Sequence, residues 1–365
     1  MRIIVLLTDA FGGNGGIALF NRNLLTVLCE HPCCTQVVAI PRLAPRPYNV
    51  LPDKLTCITK DIRGKIKYFV TVLQTVMRCR NFDLIICGHI HLIPIAYFLR
   101  LWLQRPLLLT IHGIEAWQPS QNKIVNLCIR KIDAFISVSR LSKKRFLKWT
   151  HIADKKGFIL PNAVAIDKFT PGPKNEILLK RYGLQEKRVL MTLGWLRSNE
   201  DKGFDKVIDL LPELSRKIDN LVYIIVGKGD DKSRLMEKVK CLGITDRVIF
   251  TGFIPESEKA DHYRLADVYV MPSCGEGFGF VFLEAMACGI PVVASKADGS
   301  REAVVNGKLG ILVDPDNPDD IKTGILNALK RPKGVPEGLE YFSFQNFTQR
   351  LHVIVDNVMK TGRNR

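Results

Sequence analysis

The chain lacks the cysteine and histidine pairings that a structural metal or a disulfide framework needs. Its ten cysteines stand at 29, 33, 34, 57, 79, 87, 128, 241, 274 and 288, with no C-x-x-C pair and no Cys/His ligand spacing. No H-x-x-x-H motif is present and no D-x-D motif supports a metal, so no metal is expected. Several cysteines fall inside expected strands or helices and read as buried free thiols in a reducing compartment. Long hydrophobic runs are missing too. The longest uncharged run, Leu84 to Leu99, is shorter than the ~20 residues of a spanning helix and contains two histidines and a proline. This excludes a transmembrane span. The opening segment, Met1 to Asp9, is too short and too soon acidic for a signal peptide, and reads as a first strand. No internal repeat and no low-complexity tract is present.

Acidic residues are scarce in one half only. Residues 1–170 hold 24 Lys/Arg against 9 Asp/Glu, a net +15, whereas residues 171–365 hold 29 against 27, a net +2. A basic half beside a near-neutral one points to an anionic partner for the first half: a membrane surface, a phosphate-bearing acceptor or nucleic acid. No recognised nucleic-acid motif accompanies the charge, so nucleic acid is not the expected partner. Three stretches carry the cations beside apolar residues at helical spacing: Ile62–Arg80, Tyr97–Arg105 and Arg140–Trp149. Basic amphipathic segments with aromatics suit the lipid headgroup region; ordinary solvated helix faces are the plain alternative.

What is present is a regular alternation of apolar runs and helical stretches. The runs are Ile3–Thr8, Gln36–Ile40, Thr56–Thr59, Leu84–Cys87, Leu107–Ile111, Ala134–Val138 and Phe158–Leu160. In the second half they are Val189–Leu193, Val222–Val226, Val248–Thr251, Val268–Met271, Val292–Ala294 and Gly310–Val313. Short, continuous Val/Ile/Leu runs mark parallel strands covered on both faces. Their alternation with helices marks an α/β architecture of two Rossmann-like, doubly wound parallel-sheet domains facing a central cleft. The series breaks at Lys168–Lys174, where two prolines and a glycine signal a linker. The expected domains are 1–168 and 169–341. Residues 342–365 hold a last helix, spaced Phe347, Leu351, Val355, Met359, which can pack back on the first domain.

The segment Cys274–Ser295, CGEGFGFVFLEAMACGIPVVAS, sets Glu276 and Glu284 eight positions apart across a loop rich in glycine (Gly275, Gly277, Gly279) that runs into a helix. Such glycines let the backbone approach a ligand, and the helix start offers N–H groups to an anion. Two carboxylates there can each hold a hydroxyl of a sugar or a ribose. After the first strand, Phe11–Phe20 brings Gly12, Gly13, Gly15 and Gly16 to a strand-to-helix turn, a second phosphate cradle. Gly13–Ala18 also satisfies G-x-G-x-x-A. A dinucleotide site needs an acid after the second strand, and Arg42 stands there instead, which leaves an NADP reading open. His112 follows the strand Leu107–Ile111, at the edge where parallel sheets bind ligands; His89 and His91 hold a similar place. Arg197 and Lys202 sit on the loop after Leu193, two cations able to neutralise a diphosphate. Val226–Asp230 is another glycine-rich strand end.

Together the Glu276…Glu284 pair, the Gly15-Gly16 loop, His112-Gly113 and Lys202-Gly203 resemble the retaining glycosyltransferases of family 4, which have the two-domain GT-B fold. The closest likeness is to bacterial mannosyl- and glucosyltransferases that extend lipid-linked or lipopolysaccharide-type acceptors. The resemblance implies that Glu276 holds the donor sugar's hydroxyls and Glu284 the nucleotide ribose. It implies that backbone amides of the Gly277–Gly279 loop, at Phe278 and Gly279, meet sugar and phosphate. Lys202 would bind the diphosphate, Gly15 and Gly16 would approach it from the other domain, and His112 would sit beside the sugar. Ser139 and Asn162 match further cleft-side positions. The implied reaction is hexose transfer with retention from a nucleotide-sugar, GDP-mannose first and UDP-sugars next, without metal or other cofactor. The implied acceptor is a lipid-linked or glycan molecule, and the implied place is the cytoplasmic face of the membrane, as a peripheral protein. One departure stands out: Trp195 occupies the position where the family has Arg directly after the glycine, and Arg197 is the cation two residues on. A non-catalytic sugar-nucleotide-binding module and an NADP-dependent oxidoreductase are the other readings.

Overall fold

The computed structural model describes residues 1–44, 50–60, 62, 64–79 and 81–363. It divides the chain into two compact units: Met1–Asn162 with Gln345–Arg365, and Ala163–Phe344. Arg63 and Arg80, two cations of the first basic stretch, lie outside the described residues.

Unit 1 is built on one parallel sheet of β1 (Arg2–Leu7), β2 (Gln36–Pro41), β3 (Leu55–Cys57), β4 (Leu84–Cys87), β5 (Leu107–Ile111), β6 (Ala134–Ser137) and β7 (Gly157–Ile159), in the order β3-β2-β1-β4-β5-β6-β7. Ile3 through Leu7 are all buried, as are all of β4 and β5. That is why these strands read as unbroken apolar runs rather than alternating ones. On one face Ile4, Val38, Ile85 and Leu109 meet Val72, Ala96 and Ile129 from the covering helices.

The last helix, Phe344–Arg363, belongs to unit 1 from Gln345 onward. Its Phe347, Leu351 and Val355 are buried. Phe347 meets the Phe20 ring edge-on at 5.9 Å, and His352 Nε2 reaches the Val27 carbonyl oxygen at 3.1 Å.

Unit 2 carries β8 (Arg188–Leu193), β9 (Leu221–Val226), β10 (Val248–Gly252), β11 (Val268–Met271), β12 (Val292–Ser295) and β13 (Ile311–Val313), parallel and ordered β10-β9-β8-β11-β12-β13. Its core sets Leu190, Tyr223 and Val270 against Val207, Leu211, Leu235 and Ile325.

The division falls after Asn162, not after 168. The Lys168–Lys174 stretch, expected as a linker, is part of unit 2. Phe169 is buried with its ring 6.1 Å from Tyr263, and Thr170 accepts from Arg264 through both its carbonyl and its hydroxyl oxygen, each at 2.9 Å. Proline and glycine fix the path of this segment, but packing decides which unit holds it.

Candidate active site

In a doubly wound sheet the loops after the two strands at the reversal of strand order diverge and leave room for a ligand. In unit 2 those strands are β8 and β11, and their loops carry Lys202 and Glu276. Gly203, at φ +80°, lets the loops touch: a Cβ there would lie 2.7 Å from Pro272. The Cys274 N–H donates to the Asp201 carbonyl at 3.0 Å. Lys202 Nζ, mostly buried, then lies 2.7 Å from Glu276 Oε2 and 3.8 Å from Glu200 Oε2. Burial alone would pull the Lys202 ammonium down, but Glu276, Glu200 and Asp298 outweigh it and hold its pKa above the ordinary value.

The Glu276 loop is held by a residue the sequence reading did not single out. Asp298 is fully buried and accepts from Ser273 Oγ at 2.7 Å, the Glu276 N–H at 2.8 Å and the Ser300 hydroxyl at 2.6 Å. Burial pushes its carboxyl up against those hydrogen bonds. The next residue, Gly299, donates to the Glu276 carbonyl at 2.8 Å, and a Cβ there would lie 2.0 Å from the Gly277 oxygen. An Asp-Gly-Ser turn two residues after β12 was the available signal. Gly279, at φ +95°, opens the helix Phe280–Ala287 with no side-chain cap and no acid in its first turn. Its first N–H groups therefore lack a capping side chain. The Phe278 ring is buried 5.6 Å from Phe342, so this residue has only backbone to offer a ligand.

Glu284, on the same helix, has its own lysine. It is 2% exposed; Lys259 Nζ lies 3.0 and 3.2 Å from its two oxygens, and the Tyr263 hydroxyl donates at 2.8 Å. Lys259 and Tyr263 were not legible in sequence, because nothing local links them to position 284. Arg197 stands apart from the buried pair. It is half exposed, bonded to Glu200 at 2.8 Å, with its guanidinium 5.2 Å from the Trp195 ring. Glu200 thus faces both loop cations.

In unit 1 the reversal lies between β1 and β4. Gly15, at φ +97°, precedes the helix Gly16–Glu30, which has no side-chain cap and no acid in its first turn. The loop before it is tied down by Asn21, which donates to the Asp9 carbonyl at 2.8 Å. His112 extends from β5. Its ring meets Phe20 edge-on at 5.0 Å, its N–H donates to Glu115 at 2.6 Å, and its Nε2 lies 3.0 Å from the Gly88 carbonyl oxygen. A carbonyl only accepts, so Nε2 carries a proton. His89 is held neutral near neutral pH: burial, then the charges of His112, His91 and Arg42, push it down to about 3. It caps the short turn Ile90–Leu92 by accepting from the His91 N–H.

Ser139 is fully buried and caps the helix Arg140–Thr150, accepting from the Ser142 N–H at 3.1 Å. Ser139→Ala should lower stability by about 1 kcal/mol in urea unfolding; an unchanged midpoint would contradict the capping role. Asn162 is buried, and its Oδ1 has no hydrogen-bond partner among the described residues. The sequence-predicted residues thus form two groups: Gly15, Gly16 and His112 in unit 1, and Arg197, Lys202, Glu276, Gly277, Phe278, Gly279 and Glu284 in unit 2.

Residues 14–168 match the profile of Glycosyltransferase Family 4, and residues 176–341 that of glycosyl transferases group 1. A GDP-mannose-dependent alpha-(1-6)-phosphatidylinositol monomannoside mannosyltransferase of Mycolicibacterium smegmatis is 35% identical over 242 residues, 63% of this chain and 62% of the relative. A D-inositol 3-phosphate glycosyltransferase of Geodermatophilus obscurus is 35% identical over 191 residues, 48% of this chain and 41% of that protein. The match therefore spans about three fifths of the mannosyltransferase's length. Among solved structures, sucrose-phosphate synthase from Thermosynechococcus elongatus superposes with a TM-score of 0.74 at 19% identity, covering 99% of this chain and 97% of that one. Anabaena Alr3699/HepE in complex with UDP-glucose superposes at 0.71 and 21% identity, covering 100% of both chains. Those two likenesses concern the fold. With a family profile matched in each half and a parallel Rossmann-like sheet in each unit, the chain belongs to the family 4 glycosyltransferases of GT-B fold.

Proposed function

We propose that this chain transfers a hexose, mannose from GDP-mannose in the first place, to a lipid-linked or glycan acceptor with retention at the anomeric carbon. The observation that carries the reading is the half-buried Lys202–Glu276 pair at the strand-order reversal of unit 2, beside the uncapped helix Phe280–Ala287. In the reaction the bond from the anomeric carbon to the diphosphate oxygen breaks. The acceptor oxygen bonds to the same face of that carbon, and its proton passes to the departing diphosphate. Lys202 and the helix N–H groups stabilise the charge that builds on the diphosphate. Glu276 accepts from sugar hydroxyls and Glu284 from the ribose. Catalysis then consists of positioning and charge stabilisation by the chain itself, with no cofactor. The GDP-mannose dependence of the mycolicibacterial relative supports the donor. A UDP-sugar donor is the second reading, favoured by the UDP-glucose complex of the structurally similar Anabaena protein. Among the described residues no helix is long and apolar enough to cross a membrane. We place the chain as a peripheral protein on the cytoplasmic face, touching the anionic surface through unit 1.

Thermal unfolding with GDP, UDP, ADP, GDP-mannose, UDP-glucose and NADPH tests the donor. A ligand at 100 times its dissociation constant adds about 2.7 kcal/mol of stability. The expected result is a shift with one nucleoside diphosphate that disappears in Glu284→Ala. A shift with NADPH alone would overturn the reading.

A further inference from the structure

Three helices, Lys65–Arg78, Ile93–Leu103 and Lys123–Ile129, cover one face of the unit 1 sheet. Each sends one stripe into the same core: Tyr68, Val72 and Val76; Ile93, Ala96 and Leu99; Val125, Cys128 and Ile129. Their outer stripes are apolar as well, which an ordinary surface helix is not. Ile66 (80% exposed) and Val70 stand one turn apart on the first helix, Leu101 and Trp102 are adjacent on the second, and Ile124 and Leu127 (63%) stand one turn apart on the third. The Phe69 and Phe98 rings, 5.9 Å apart, join the first helix to the second, and the second packs on the third. The outer residues therefore form one face rather than scattered exposures, and such a face marks an interaction surface.

Charge identifies what the face meets. None of the three helices carries an Asp or Glu, whereas Lys65, Lys67, Arg78 and Lys123 are exposed on them. Arg100 is bonded to Asp133 at 2.7 Å and stays with the fold. A second copy of this chain would bring cation against cation across a two-fold contact. Apolar side chains flanked by lysine and arginine, with no acid among them, match the acyl boundary and phosphates of an anionic bilayer. We propose that this three-helix face is the surface by which unit 1 docks on anionic lipid, with Trp102 and its apolar neighbours entering the headgroup–acyl boundary. The helix Arg140–Thr150, equally basic in sequence, is not part of it. Its Phe146 is buried, and its Trp149 donates to the Ala116 carbonyl at 2.9 Å. The proposal rests on the membrane part of the proposed function and is independent of the donor.

The test is co-sedimentation of the full chain with vesicles of phosphatidylcholine alone and of phosphatidylcholine mixed with phosphatidylglycerol. Leu101→Glu with Leu127→Glu is the variant, and light scattering gives the mass in solution. The expected result is binding to the mixed vesicles, weakened by salt, and at least roughly tenfold less binding by the variant. Brominated acyl chains should quench the wild-type tryptophan fluorescence, and Trp102→Phe should remove most of that quenching. Equal recovery with both vesicle types, or a variant that binds like wild type, overturns the proposal. So does a wild-type dimer that the variant dissociates without any vesicle binding. The nucleotide thermal shift, run on both proteins, keeps the questions apart. A variant that keeps the shift but loses the vesicles is folded and lacks only the dock. A wild type that binds vesicles but no nucleotide rejects the donor reading and leaves the docking surface standing.

Discussion

Lys202→Ala should lower turnover on the order of a hundredfold or more. The ammonium is mostly buried, and the Glu276 carboxylate at 2.7 Å fixes its position. A cation so held needs little reorganisation as charge builds on a leaving group, and in a site with little water it acts at low dielectric. Lys202→Arg keeps the charge but not the compact tip, and should recover only part of the loss. Steady-state kinetics against donor concentration distinguishes the possibilities. A fall in kcat shows a contact made in the transition state, and a rise in KM alone shows uniform binding. Near-normal turnover in Lys202→Ala would sink the role assigned to it.

Lys259→Ala should destabilise the chain by about 3–5 kcal/mol. Glu284 is 2% exposed, and Lys259 supplies two of its three contacts, the third being the Tyr263 hydroxyl. Removing the lysine leaves a buried carboxylate without its countercharge, which costs far more than the pair contributes when intact. The double change Lys259→Ala with Glu284→Gln should therefore regain most of the loss, because the amide is neutral and still accepts from Tyr263. Urea unfolding of the four proteins of that cycle measures the coupling; additive effects would reject it. Alkali tests the same pairs. Burial lowers the pKa of Lys202 and of Lys259, but their carboxylates outweigh it and raise both above 10.5. A raised lysine stabilises the fold fully below its unfolded pKa, and that stability is lost as pH rises through the folded value. Stability should hold at neutral pH and begin to fall above pH 10.5.

The strands were legible in the sequence alone. All thirteen apolar runs are strands among the described residues, with ends displaced by at most two positions. Parallel strands buried on both faces must be apolar at every position, a signal that needs no knowledge of neighbours. Glycines mark the turns where backbone must pass close to backbone, and the charged and histidine residues after those strands lie at the ligand-binding edge for topological reasons. Tertiary structure decided the partners. Lys202 and Glu276 are 74 positions apart and meet because β8 and β11 are neighbours in the sheet. Asp298 reaches the Glu276 loop because β12 lies beside β11, and Lys259 faces Glu284 through packing alone. The same holds for the basic amphipathic stretches. Residues 65–78 and 140–150 look alike as sequences, yet one turns an apolar stripe outward and the other buries Phe146 and packs Trp149 against the core. Periodicity shows that a helix has an apolar stripe, but only the neighbours it packs against determine whether a second stripe is left for something outside the chain.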